Sequence, residues 1–214
     1  MRKNLLKYGA LAAVLGVVAF ESVYFEKLDA HRAAAGRRAG QHFEAATYAR
    51  TFWQTKLRPA LPQANDLATL LAELQARPQP TFEAKSHALG IGNIRYFLVR
   101  GAGTITAVRE NDVTVQLPSG AQVQLATEYI FGNAVRDATG LIRNAEFENT
   151  ADLNSVADQL NALVRTQVVA PFKAAARKGA AVQFAGALEL NQAHVHLDKL
   201  ELIPLAATVS PPQP

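Results

Sequence analysis

The residue types best suited to chemistry gather in two places. His194, His196 and Asp198 recur at every second position. On a straight strand that spacing sets three metal-binding side chains on one face. Val195 and Leu197 alternate with them, so the same pattern describes a half-buried strand whose histidines are its wet face. The second reading is the simpler one, and no metal site is expected. The other place precedes a long helical pattern, where Arg136-Asp137, Arg143, Glu146, Glu148 and Asn149 lie among Phe131, Val135, Leu141, Ile142 and Phe147. Charges interleaved with large apolar residues mark a connection that packs on the domain. Arg136 and Asp137 there form either a buried structural pair or a ligand-facing cation with its counter-charge. Arg136, Asp137 and Asn149 are the candidate ligand-binding residues.

Other chemistries lack their residues. The chain has no cysteine, which excludes disulfides, thiolate metal sites and thiol catalysis. Its few serines (Ser22, Ser86, Ser119, Ser155, Ser210) have no nucleophile-elbow context. Neither Gly90-x-Gly92 nor Gly101-x-Gly103 follows a strand and opens a helix, so the dinucleotide fingerprint fails and both read as turn or strand-bend glycines. Trp53 with Phe52 and Tyr48 would suit a binding platform, but their spacing is that of a helix packing aromatics on a core. No catalytic residue and no cofactor is expected. An enzyme with a sparse active site near Arg136 and Asp137 is the alternative.

The elements that must position these groups follow from periodicity. Phe43 to Leu57 reads as a helix closed by Pro59 and Pro62. Asn65 is the expected N-cap of a second, with Leu67, Leu70, Leu71 and Leu74 as its stripe. Pro78 to Gly92 reads as irregular. Ile94 to Val108, Val113 to Leu117 and Val123 to Leu125 read as three antiparallel strands, turned at Asn111-Asp112 and Pro118-Ser119-Gly120. A long helix from Asp152 to Val169, capped by Asn149 or Thr150, is broken or kinked by Pro171. Two strands close the domain, around Val182 to Leu188 and Val195 to Leu202, with a bulge at Asp198-Lys199. A meander, a helix and two further strands is the order of an OB-type barrel. The fold class is therefore α+β: an OB-like five-stranded β-barrel with a long helix between strands 3 and 4, preceded by N-terminal helices. Residues 43–204 form this single domain and 205–214 a disordered tail.

Before it, Arg2, Lys3 and Lys7 precede the uncharged run Tyr8 to Phe20, the n-region and h-region of an export signal. Residues 1–25 read as a signal peptide cleaved after Ala19 or as an uncleaved signal-anchor helix. Residues 26–42 read as a polar linker or helix. Either way the domain is expected in the periplasm, tethered to the inner membrane or released after cleavage. The net charge of +4 belongs wholly to this region. Arg2, Lys3, Lys7, Lys27, Arg32, Arg37 and Arg38 outnumber Glu21, Glu26 and Asp29, and from Phe43 onward bases and acids balance. A neutral domain lacks the electrostatic footprint of phosphate-backbone binding, so nucleic acid is not an expected partner.

Several stretches resemble the predicted periplasmic lipoprotein family called domain of unknown function 2291: FEKLDAHRAA (Phe25 to Ala34), YARTFWQTKLRPAL (Tyr48 to Leu61), NDLATLL (Asn65 to Leu71), FLVRGAGTITAV (Phe97 to Val108), GNAVRDATGLI (Gly132 to Ile142), FENTADLNSVADQLN (Phe147 to Asn161), and the closing VQFAGALEL and LELIPL. The resemblance implies a bacterial cell-envelope protein with an OB-like domain and no assigned activity. It also implies a link to sugar ABC transport, with a transporter component or a small solute as partner. The family usually carries a lipobox cysteine after the apolar run, and this chain has none. Attachment to the membrane would then fall to the N-terminal segment itself. The expected function is a non-enzymatic binding or accessory module.

Overall fold

Strand β2 organises the fold, because its fifteen residues, Ile94–Val108, are long enough to pair along both edges. The computed structural model describes residues 43–210; the expected leader, its cleavage site and the linker lie outside them. In chain order the principal elements are helix α1 (Ala45–Phe52), the short strand β1 (Asn65–Asp66), α2 (Leu67–Ala76), α3 (Pro78–Lys85), β2, β3 (Asp112–Gln116), β4 (Gln122–Ala126), the single turn α4 (Ala134–Asp137), α5 (Thr150–Val164), β5 (Ala181–Asn191) and β6 (Leu200–Ser210).

Strand β2 pairs antiparallel with β3 and, over Ile94 to Thr104, with β5. The sheet order β2-β3-β4-β6-β5 closes back onto β2, and β4 and β6 run parallel. This is the expected five-stranded closed barrel, with α5 between its third and fourth strands. Alternation supplies the interior: Phe97, Val99, Ile105, Val113, Val115, Val123, Leu125, Phe184, Leu188 and Leu202 are all buried there. Each such side chain contributes roughly 1.5–3 kcal/mol on burial.

Strand β2 can wrap this small core only because two of its inward positions have no side chain. A Cβ on Gly101 would stand 2.8 Å from the ring of Phe184, and one on Gly103 would overlap the carbonyl of Gln116 on β3. A bulge at Thr106, where the β2–β3 register shifts between Ile105 and Ala107, adds further coil.

Helices α2 and α3 add their apolar faces to the barrel core, Phe82 meeting Phe97 edge-on at a centroid distance of 5.2 Å. Helices α1 and α5 pack against each other, burying Phe52, Trp53 and Leu57 with Val156, Leu160 and Val164. Leu98, Ala187 and Leu205 are buried although they lie outside the barrel-core cluster. Both long helices contain a π-helical turn, Trp53–Leu57 after α1 and Arg165–Val169 after α5. Each ends two residues before a proline, Pro59 or Pro171. The proline ring would collide with the carbonyl four residues back in a regular helix, and the wider turn removes that clash. Pro171 therefore neither breaks nor ends the helix, which runs on through Ala170–Ala175.

Five local expectations are corrected. Pro78 to Lys85 is helical, since Pro78 occupies the first turn, where its missing N–H costs nothing. The N-cap of α2 is Asp66, which accepts from the Thr69 amide at 2.9 Å, while Asn65 donates to the Leu98 carbonyl. His194, His196 and Asp198 lie in the β5–β6 connection with no strand to align them; Val195 and Leu197 nevertheless pack on the barrel core. The bulge of β6 is at Leu205, between the Ala185–Ala206 and Gly186–Pro204 pairs, and not at Asp198-Lys199. Residues 205–210 are strand and not a disordered tail, because the bulge accommodates Pro204 in the ladder.

Candidate functional site

The connection between β4 and α5 is held against the helices by hydrogen bonds to its main chain. Arg165 Nη1 donates to the Ile130 carbonyl (2.5 Å) and Asn161 Nδ2 to that of Gly132 (2.9 Å). Ala134, Val135, Ala138 and Ile142 bury the apolar side of the segment. On this fixed backbone α4 presents Arg136 and Asp137, each only 3% exposed. Their side chains form a two-point ion pair: Arg136 Nε donates to Asp137 Oδ1 at 2.6 Å and Nη2 to Oδ2 at 3.2 Å. Asp137 Oδ2 also accepts from the Leu89 amide at 3.2 Å.

The remaining guanidinium nitrogen, Nη1, has looser partners, the Leu153 carbonyl at 3.4 Å and Asn154 Oδ1 at 3.5 Å. Two N–H groups on that atom thus face long acceptors. Arg136 is part of the wall of a cleft of about 570 Å³ that also includes Asn133, Asn144, Asn149 and Asn154, with Phe147 and Leu153 as apolar surface. A buried cation already neutralised, four amides and a short apolar wall can orient a small polar molecule by hydrogen bonds.

Of the three candidates, Arg136 and Asn149 line this cleft. Asn149 is also the N-cap of α5: its Oδ1 accepts from the Asp152 amide and its Nδ2 donates to Asp152 Oδ2, both at 2.8 Å. Asp137 faces a separate cavity of about 180 Å³ with Ser86, His87 and Arg95. There Arg95 donates to the Ser86 hydroxyl (2.8 Å) and carbonyl (3.1 Å). Burial, and then the Arg95 charge, hold the His87 pKa below the usual imidazole value. Tyr96, whose main chain bridges His87, has its phenol pushed up to about 12, by burial first and then by the Glu189 and Asp137 carboxylates.

Asn133, Asn144 and Asn154 had no distinguishing signal in the sequence, because three separated segments bring them together. The Gly90-Ile91-Gly92 turn, read only as a turn, supplies part of the cleft wall. Among the described residues no group of three or more His, Asp or Glu is placed to hold a metal ion. The outer surface of β3 and β4 presents Gln116, Gln122 and Gln124, exposed amides with neither charge nor stacking rings.

A model of the predicted periplasmic lipoprotein family matches residues 13–208. The chain belongs to this family. Membership in domain of unknown function 2291 supports a periplasmic location and brings no assigned activity. The chain is also similar to an OB-fold protein from Thermotoga maritima, known from its crystal structure: 26% identity, TM-score 0.70, covering 79% of this chain and 100% of that one. The barrel and its inserted helix are therefore of OB type. No curated protein matches.

Proposed function

We propose that this family member is a non-enzymatic binding module of the cell envelope, which takes a small uncharged polar solute into the cleft beside Arg136 and serves a solute transporter as an accessory. The carrying observation is the state of Arg136, a residue of the cleft wall that is buried and neutralised by Asp137, with Nη1 3.4 and 3.5 Å from its nearest acceptors, both on cleft-lining residues. A charged ligand would lose its hydration there without gaining a free counter-charge. A hydroxyl- or amide-rich neutral molecule gains hydrogen bonds at no such cost. The transporter link, to sugar uptake in particular, rests on the family resemblance, and attachment to the inner membrane on the N-terminal segment.

The test is a thermal-shift screen of neutral sugars and polyols against phosphorylated sugars and divalent metals. The reading expects neutral hydroxylated compounds to raise the melting temperature. It also expects the charge-removing pair Arg136→Gln/Asp137→Asn, which leaves no charge unpaired, to abolish the rise. A rise that survives in that variant, or no rise with any neutral compound, contradicts it.

A further inference from the structure

The cleft has one wall unlike the others. Ile91 is 109% exposed, more than in an extended chain, and is flanked by Gly90 and Gly92, where an added Cβ would touch nothing within 4 Å. Gly92 has φ +139°, a conformation side chains rarely adopt. The three residues lie between two fixed points, and one long bond reaches into them, from Gln192 Nε2 to the Gly92 carbonyl at 3.5 Å. Leu89 is held through its amide by Asp137 Oδ2 (3.2 Å) and through its carbonyl by Asn144 Nδ2 (3.1 Å). On the other side the Asn93 carbonyl accepts from the Gln192 amide (2.8 Å) as β2 begins. A single exposed Ile needs no explanation by itself; this one borders the cleft and stands between two glycines whose backbone is free to turn.

We propose that Gly90-Ile91-Gly92 is the lid of the cleft, turning about its glycines to lay Ile91 over a bound solute against Phe147 and Leu153. The inference rests on the solute-binding reading of the same cleft but makes a claim of its own about the apo chain. Closure buries Ile91 and removes water from the Arg136 Nη1 donors, which strengthens their bonds to the solute. The anchor at Leu89 is the Asp137 carboxylate itself, so the ion pair that places Arg136 beside the cleft also fixes the hinge of its lid.

The chain has no cysteine, so a cysteine pair reports closure directly. Ile91→Cys combined with Asn154→Cys places thiols at two exposed positions bordering the cleft. A disulfide requires their Cα atoms within about 7 Å. The control pairs Ile91→Cys with Ser119→Cys in the β3–β4 turn. Gln116 pairs with Thr104, about 30 Å along β2 from Ile94 at the strand rise per residue. With mild oxidant on the full chain, the lid predicts loss of both thiols in the cleft pair at least about ten times faster than in the control. Thiols that persist in both pairs overturn the lid, as does equal oxidation of both. A parallel melting series with D-glucose and D-ribose separates the two ideas: solutes that bind while the cleft pair stays reduced sink the lid alone, and a pair that closes without any solute effect sinks the solute reading and leaves the lid.

Discussion

Arg136 and Asp137 are neighbours in sequence whose side chains fold back onto each other in two hydrogen bonds, 2.6 and 3.2 Å long, with both residues almost wholly buried. The pairing makes one compact neutral unit from two charges. Its attraction and hydrogen bonds offset the desolvation of a guanidinium at the side of a cleft, and it ties α4 to Leu89 across the chain.

Removing one member exposes what the pair conceals. Asp137→Ala leaves a buried guanidinium uncompensated and is expected to cost about 3–5 kcal/mol of stability. Arg136→Gln/Asp137→Asn, which removes both charges, is expected to cost far less. Urea denaturation of the two variants measures the difference; equal losses would mean that the charges contribute nothing as a pair.

Gly140, with φ +65°, lies so close to His87 that a Cβ would overlap the imidazole. Gly140→Ala therefore meets two penalties, the left-handed backbone, about 1–2 kcal/mol, and the ring. Adding His87→Gly removes only the second. Thermal melting should place the double variant between wild type and Gly140→Ala.

Glu189 has its carboxyl pKa raised, by burial first and by the Glu201 carboxylate second. The folded state thus disfavours its ionised form. The stability this group contributes is present below the ordinary carboxylate range and is lost as pH rises through the raised value. Glu189→Gln is expected to stabilise the protein at neutral pH by about 0.2–1 kcal/mol, the scale of a like-charge cross-strand contact. Near pH 3, roughly, where both carboxyls are neutral, it should do nothing. Denaturation at the two pH values reads the sign directly.

Asp66 caps α2 and has its pKa lowered, chiefly by the hydrogen bond from the Thr69 amide. Its stabilisation is present above the ordinary Asp value and fades as pH falls through the lowered one. Asp66→Ala is expected to cost about 1 kcal/mol at neutral pH, with the deficit against wild type shrinking in acid.

The barrel was legible because alternation in β2, β3 and β4 and the stripe of α5 are local patterns that tertiary structure keeps. What escaped was governed by context. The stretch from Pro78 reads as irregular and the chain after Pro204 as a tail, yet Pro78 opens a helix and Pro204 pairs in a strand beside the Leu205 bulge. The alternation around His194 and His196 was real in its apolar half alone: Val195 and Leu197 face the core without a strand. Arg136 stood out because a charged pair among large apolar residues is unusual anywhere. Its neighbours Asn133, Asn144 and Asn154 come from three segments, and a single amide in a sequence carries no sign of where it will face.

The most direct test of the central claim is amide-resolved NMR of the full-length protein titrated with neutral sugars and polyols, D-ribose and D-glucose first. The account predicts that the side-chain signals of Asn133, Asn154 and Arg136 Nε–H move together in a saturable titration, and that Arg136→Gln/Asp137→Asn abolishes the movement. Signals that stay still across the neutral compounds, or that move only at residues remote from this cleft, would contradict it.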